Sequence, residues 1–146
     1  MKKLIALTLA LMLWPLASAF ADNDTPIQVS ELPAKAQAFL STYYKGQKIL
    51  LAKVESEVFN KTYDVIFEGG TKVKFNKSGV WTEVNAREGA VPQALIPEEI
   101  RSYVNAHFPD AIIHKIEREH KEYEIKLSNR LEITFDSKFR VIDIDD

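Results

Sequence analysis

The sequence predicts an α+β fold: a tandem duplication of one helix followed by a four-stranded antiparallel meander, with all strands in one continuous sheet and both helices on one face. Three observations carry this expectation. Two segments have the apolar spacing of amphipathic helices, each is followed by runs that alternate with period two, and residues 62–84 and 122–144 place apolar residues at matching positions with a constant offset of 60.

The chain has 146 residues, a formal net charge of −2, no cysteine, six prolines and five glycines, with 46% apolar residues. That is the composition of one ordinary globular domain; it excludes collagen-like, disordered and disulfide-stapled chains. Lys2 and Lys3 precede a run from Leu4 to Leu13 that is apolar except for Thr8, Trp14-Pro15 breaks it, and Ala19-Phe20-Ala21 offers small residues before Asp22. This pattern reads as a secretory signal peptide over 1–21, since a spanning helix needs roughly 20 apolar residues. The expected mature chain, 22–146, is one domain of two repeats, about 30–85 and 95–146, and no membrane span is expected after cleavage. It carries 17 basic and 21 acidic residues, hence −4. Export to the periplasm without cysteine excludes lipid attachment, disulfides and thiolate metal sites, so the core alone must hold the fold. Two separate domains of ~60 residues would each be marginal, which favours one shared core.

The first helix is expected from Leu32-Pro33, with apolar positions at Ala36, Phe39, Leu40, Tyr43 and Tyr44; the second from Ile96-Pro97, with Ile100, Tyr103, Val104, His107 and Phe108. Proline fits the first turn, where its missing N–H costs nothing. Gly46 and Pro109 end them. In the strands that follow, Val54, Tyr63, Val65, Phe67, Val73, Phe75, Val80, Thr82 and Val84 have core parity, as do Ile116, Tyr123, Ile125, Leu127, Leu131, Ile133, Phe135, Ile142 and Ile144. Gly69-Gly70 predicts a two-residue primed turn, and Asn76-Lys77-Ser78-Gly79 a type I turn with left-handed glycine. Ser128-Asn129-Arg130 and Asp136-Ser137-Lys138 stand in the same places of the second repeat. Short hairpins impose antiparallel neighbours, and half-polar strands need one covered face, which the helices supply.

Two units entered by Leu-Pro or Ile-Pro, each with a strand of the form Tyr-x-Val/Ile (Tyr63-Asp64-Val65, Tyr123-Glu124-Ile125) and a turn after Phe75 or Phe135, behind a signal peptide, resemble the PepSY-like family of exported bacterial proteins. The resemblance covers nearly all of 30–146 and departs at Phe139, which stands where Gly79 does, so the second turn is expected to differ in shape. It implies a fold similar to β-lactamase inhibitor protein, an envelope location, and binding of a protein or peptide.

The chemistry-bearing residues exclude more than they assign. His107, His114 and His120 do not suggest a zinc site, since six residues of strand would hold the latter two ~20 Å apart. The tail Asp143-Ile144-Asp145-Asp146 lacks the glycine and ligand spacing of a calcium loop. No Gly-x-Ser-x-Gly or His-Glu-x-x-His occurs, and the acidic pairs Glu55/Glu57, Glu98/Glu99, Glu117/Glu119 and Glu122/Glu124 are what 21 acidic residues produce on solvent-facing strands. No enzyme, metal or cofactor is expected. Net charge and export argue against nucleic acid; Lys72, Lys74 and Lys77 read as a solvated edge.

What remains is surface recognition. With the helices on one side, the opposite face is expected to carry Asp64, Ile66, Lys72, Lys74, Trp81 and Glu83 from the first repeat, and Glu124, Lys126, Glu132, Thr134, Val141 and Asp143 from the second. Trp81 among charged residues suggests a protein-binding anchor, unless a bulge turns it inward. The leading expectation is a non-enzymatic envelope module that binds a protein or peptide there, as an inhibitor or accessory factor. The alternatives are a small-molecule carrier with a pocket near Tyr43, Tyr44 and His107, and a hydrolase using a strand carboxylate pair.

Overall fold

Pro33 and Pro97 each stand immediately before a helix in the computed structural model, which describes residues 23–146. The expected signal peptide lies outside those residues. Helices α1 (Ala34–Tyr43) and α2 (Glu98–His107) therefore start one residue past the prolines, whose extended ψ of 146° and 141° turns the chain into them. Gly46, with φ of +79°, and Pro109 follow their ends. Each helix buries two residues four apart, Ala36 and Leu40 or Ile100 and Val104, the spacing that aligns side chains on one face.

Among the described residues, nine strands form one sheet whose spatial order is the chain order. They are β1 (Asp24–Ile27), β2 (Ile49–Ser56), β3 (Lys61–Phe67), β4 (Lys72–Asn76), β5 (Trp81–Asn85), β6 (Ile113–Glu119), β7 (Glu122–Leu127), β8 (Glu132–Phe135) and β9 (Val141–Asp145). Every pairing is antiparallel. The continuous antiparallel sheet is as expected, but β1 is a ninth strand that the period-two reading does not include. It has four residues and a central proline, tolerated because β1 is an edge.

Both helices pack on the same face. Phe39 of α1 meets Phe75 edge to face at 5.4 Å, and Tyr103 of α2 meets Phe135 in the same way at 5.5 Å. Under them the pairing aligns Val65, Val73, Val84, Ile116, Ile125 and Ile133 in one row across six strands, each wholly buried.

Two bulges correct the expected parity. Lys74 pairs with Glu83 but Phe75 pairs with Trp81, so Thr82 is the extra residue and Trp81 joins Phe75 on the core face, buried at 8% exposure. Trp81 is therefore not on the open face, and Thr82 is not in the core. The β8–β9 pair repeats this: Thr134 pairs with Asp143 and Phe135 with Val141, which brings Val141 against the core and leaves Ile142 exposed. One extra residue reverses every side chain beyond it.

The turns differ from expectation in two places. At Glu68–Thr71 only Gly70 has positive φ (+92°), and Phe67 exchanges backbone bonds with Thr71 and Gly70, so this is not a two-residue primed turn. The turns after Phe75 and Phe135, by contrast, share one shape. Asn76 Oδ1 accepts from the N–H groups of Ser78 and Val80, Asp136 Oδ1 from those of Lys138 and Arg140, and Phe139 adopts φ +60° where Gly79 has +83°. The substitution thus changes the residue without changing the turn. Its tolerance has a local cause: Phe139 packs on Tyr123 at 5.6 Å, whereas a Cβ on Gly79 would lie 2.8 Å from Pro33 Cβ and 3.0 Å from the Ala36 backbone nitrogen. Gly79→Ala should accordingly cost about 2–4 kcal/mol in a urea titration, combining the left-handed penalty with displacement of α1. A loss under about 0.5 kcal/mol would contradict this account of the turn.

Candidate functional site on the open sheet face

Side chains alternate along each strand, so the face turned away from the helices is set by register. Lys53, Asp64, Lys74, Glu83, Glu117 and Glu124 follow one another across β2 to β7, and Thr134 and Asp143 extend that row. A second row carries Ile66, Lys72, Asn85, Lys115, Lys126 and Glu132, ending at Asp145. Of the residues singled out in the sequence, Asp64, Ile66, Lys72, Lys74 and Glu83 lie together here on β3, β4 and β5. Trp81 lies on the other side, where the Arg118 guanidinium sits 4.0 Å from its ring centroid and Arg118 Nε donates to its carbonyl at 2.9 Å. The sequence had not marked Arg118, whose core parity on β6 becomes meaningful only once Trp81 turns inward.

The two halves of this face differ in charge. Over β1 to β4, Lys53, Lys72 and Lys74 balance Asp24, Glu55 and Asp64. Lys53 bridges Asp24 and Asp64, its Nζ hydrogen-bonded to Asp24 Oδ2 and 3.7 Å from Asp64 Oδ2, with Lys72 3.9 Å from the same oxygen. Both aspartate side chains are more than nine-tenths buried, and each has an Oδ1 without a hydrogen-bond partner among the described residues. Asp24 escaped the sequence reading because β1 did. Its bond and the nearby carboxylates hold the Lys53 ammonium above the usual lysine range despite burial.

Over β5 to β9, eight acids (Glu83, Glu117, Glu119, Glu122, Glu124, Glu132, Asp143 and Asp145) face only Lys115 and Lys126 among the described residues. Glu83, Glu117 and Glu124 occupy directly opposed positions on three strands, an arrangement that repels. Lys115 relieves it by bonding Glu117 at 3.0 Å, while Lys126 bonds Glu132 at 3.0 Å. Burial alone would pull Lys115 down, but the Glu117 bond and the carboxylates of Glu83, Glu117 and Glu124 hold it above its ordinary value. Glu124 is pushed up by burial and by Glu117 and Glu132, against the pull of Lys115 and Lys126.

The histidines are dispersed. His107 stacks on Tyr103 at 4.2 Å and its Nδ1 lies 2.9 Å from the Tyr103 carbonyl; His114 Nδ1 lies 2.5 Å from the Gly89 carbonyl; His120 is in the β6–β7 turn with φ +49°. Among the described residues, no three histidine or acidic side chains group as a metal site, and no helix is long and apolar enough to cross a membrane. On the helix side, a cavity of about 430 Å³ is lined by Leu40, Tyr44, Ile49 and Phe67. The expected pocket residues Tyr43 and His107 do not line it. The buried Tyr44 hydroxyl has no partner among the described residues, and burial pushes its pKa up to about 12. A second cavity, of about 350 Å³, lies between α2 and the start of β6.

Two measurements test the electrostatics of the open face. Lys53→Met leaves buried Asp24 unpaired among the described residues and buried Asp64 with Lys72 alone, and should cost about 3–5 kcal/mol, most of it restored when Asp24→Asn and Asp64→Asn are added; equal stability of wild type and the single variant would refute the network. Glu124 holds its proton more tightly folded than unfolded, so its charge opposes folding at neutral pH, an effect absent below its ordinary value of 4.5 and growing as pH rises through the elevated one. Glu124→Gln should therefore raise the unfolding free energy from a urea titration at pH 7, by no more than about 0.5 kcal/mol, and leave it unchanged at pH 4; a lowered unfolding free energy at pH 7 would contradict the assignment.

Comparison with known proteins places this architecture. Residues 61–143 match the family described as "Putative beta-lactamase-inhibitor-like, PepSY-like". A crystal structure of a "putative periplasmic protein" from Bacteroides vulgatus has 51% identity and a TM-score of 0.83, covering 87% of this chain and 100% of the other. A "putative calcium-regulated periplasmic protein" from Bacteroides thetaiotaomicron has 50% identity and a TM-score of 0.84 over the same shares. A further Bacteroides vulgatus "putative periplasmic protein of unknown function" has 31% identity and a TM-score of 0.80, covering 84% and 99%. Curated proteins returned no match. The helix-covered antiparallel sheet, the matched segment and these identities together show that the chain belongs to the PepSY-like family of periplasmic proteins.

Proposed function

We propose that this chain is a non-enzymatic binding module of the periplasm that recognises a protein or peptide through the open sheet face, in the manner of an inhibitor or accessory factor. The observation that carries the reading is that one face of a nine-stranded sheet is left to charged side chains held in fixed rows, half of it balanced and half strongly acidic. Such a surface supplies orientation and partner discrimination through charge, and it speeds encounter with a cationic partner. Two of its carboxylates that could serve acid–base chemistry, Glu117 and Glu132, are committed to lysines. The candidate binding residues are Asp64, Ile66, Lys72, Lys74 and Glu83, with Glu117 and Glu124 added and Trp81 removed.

We also read the two helix-plus-four-strand units as a tandem duplication. The matching bulges and the matching Phe39–Phe75 and Tyr103–Phe135 contacts support it.

Photo-crosslinkers placed at Lys74 or Glu83 of the exported protein should capture a protein or peptide, whereas crosslinkers at Glu99 or Ser102 on α2 should not. Adding Glu117→Lys and Glu124→Lys should reduce capture at least tenfold. Capture that is equal from both faces, or insensitive to these reversals, would overturn the proposal. Because one relative is described as calcium-regulated, capture is compared with and without added calcium.

The carrier reading is favoured by a separate observation, the two cavities on the helix side.

A further inference from the structure

The cavity between α2 and the start of β6 combines two features that call for one kind of ligand. Its inner wall is apolar: Val91, Ile96, Val104 and Ile113 line it, and each is buried. Its polar wall contains Arg101, whose Nε is buried and has no hydrogen-bond partner among the described residues. A buried donor without an acceptor costs roughly 1–3 kcal/mol, more when charged, and arginine is ionised at any physiological pH. No carboxylate among the described residues forms an ion pair with Arg101. Glu98, one turn earlier on α2, also lines the cavity but does not pair with it. At about 350 Å³ the space is in the range of small-molecule sites, where apolar walls hold the body of a ligand and one polar group fixes its orientation.

We propose that this cavity binds a small amphipathic carboxylate, its hydrocarbon part against Val91, Ile96, Val104 and Ile113 and its carboxylate on Arg101. Because the buried Nε has almost no accessible surface as it stands, the Arg101 side chain turns on binding so that Nε–H and a neighbouring Nη–H present a planar fork to two carboxylate oxygens, and one ligand group then satisfies the orphan donor. A neutral chain would leave Nε unpaired, and a bare anion would leave the apolar wall unused. Glu98 sets a like charge at the rim that weakens any anion. This site is on the face opposite the charged rows and does not depend on the outer-face reading.

Octanoate, octan-1-ol and acetate are titrated into the full exported protein while the methyl resonances of Val91, Val104 and Ile113 are followed. Octanoate should give saturable shifts at these methyls, with octanol and acetate at least tenfold weaker. Arg101→Gln should weaken octanoate at least tenfold without changing octanol binding, and Glu98→Gln, an exposed substitution, should tighten octanoate two- to threefold. Thermal unfolding of each variant verifies that it is folded. Absence of saturable octanoate shifts, equal binding of octanol, or indifference to Arg101→Gln in a folded variant would each overturn the proposal, while leaving crosslinking from the open face unaffected.

Discussion

The pairing of β5 with β6 is the constraint on which the remainder of the molecule depends. Only three residue pairs make it, Glu83 with Glu117, Val84 with Ile116, and Asn85 with Lys115. It nevertheless joins two halves that would each be too small to bury a sufficient core. Val84 and Ile116 are the link: both are wholly buried, and they continue the row from Val65 and Val73 on one side to Ile125 and Ile133 on the other. Each such side chain contributes roughly 1.5–3 kcal/mol on burial, so one shared row joins two marginal sheets. The same register also dictates the outer surface. If Val84 faces Ile116 inside, Glu83 must face Glu117 outside, and the acidic row is the electrostatic consequence of closing the core. Lys115, one residue from Ile116, offsets part of that repulsion from within the seam.

Covering only one face would ordinarily leave the other fully solvated, yet Asp64 is buried there. Its side chain is short, its strand is internal to the sheet, and its neighbours in the register, Lys53 and Lys74, are long. Long aliphatic stems shield a short side chain between them while their ammonium groups remain near water. Burial would make an isolated carboxylate costly, and the contacts from Lys53 and Lys72 are what render it tolerable. The open face is consequently a fixed arrangement on this side, where charges are locked in pairs, and a more labile one beyond β5, where acids outnumber lysines.

Much of the scaffold was legible in the sequence because hydrophobic period reports directly on which side is covered. Both helices, eight of the strands and the side of Asp64, Ile66, Lys72, Lys74 and Glu83 followed from that rule. It failed where one residue was added to β5 and to β9. A bulge has no hydrophobic signature of its own, so Trp81 and Val141 were assigned outward and Thr82 and Ile142 inward, the same error at two corresponding places. It also failed for β1, whose four residues with a proline contain too few alternations to register, and Asp24 of the buried ion network was lost with it. The cavity beside Arg101 was invisible for a different reason. Its walls come from α2, the segment before it and the start of β6, and no periodicity within one element can report a space between three.

The two halves share strand order, helix placement and bulges, so their differences are where distinct chemistry can reside. After Phe75 the turn lies against the start of α1, which leaves no room for a Cβ at Gly79. After Phe135 the corresponding residue is Phe139, and it spends its side chain on a contact with Tyr123 that offsets part of the left-handed strain; such aromatic pairs contribute about 0.5–1.5 kcal/mol. The cavities diverge similarly: beside α1 the wall holds the neutral phenol of Tyr44, while beside α2 it holds the cationic Arg101. On the open face the same register displays balanced charge in one half and an acidic row in the other. Shared packing thus fixes where each side chain stands, and the unshared residues decide what each half presents: an acidic row on the open sheet and, behind it, a cationic side chain without an ion-pair partner among the described residues.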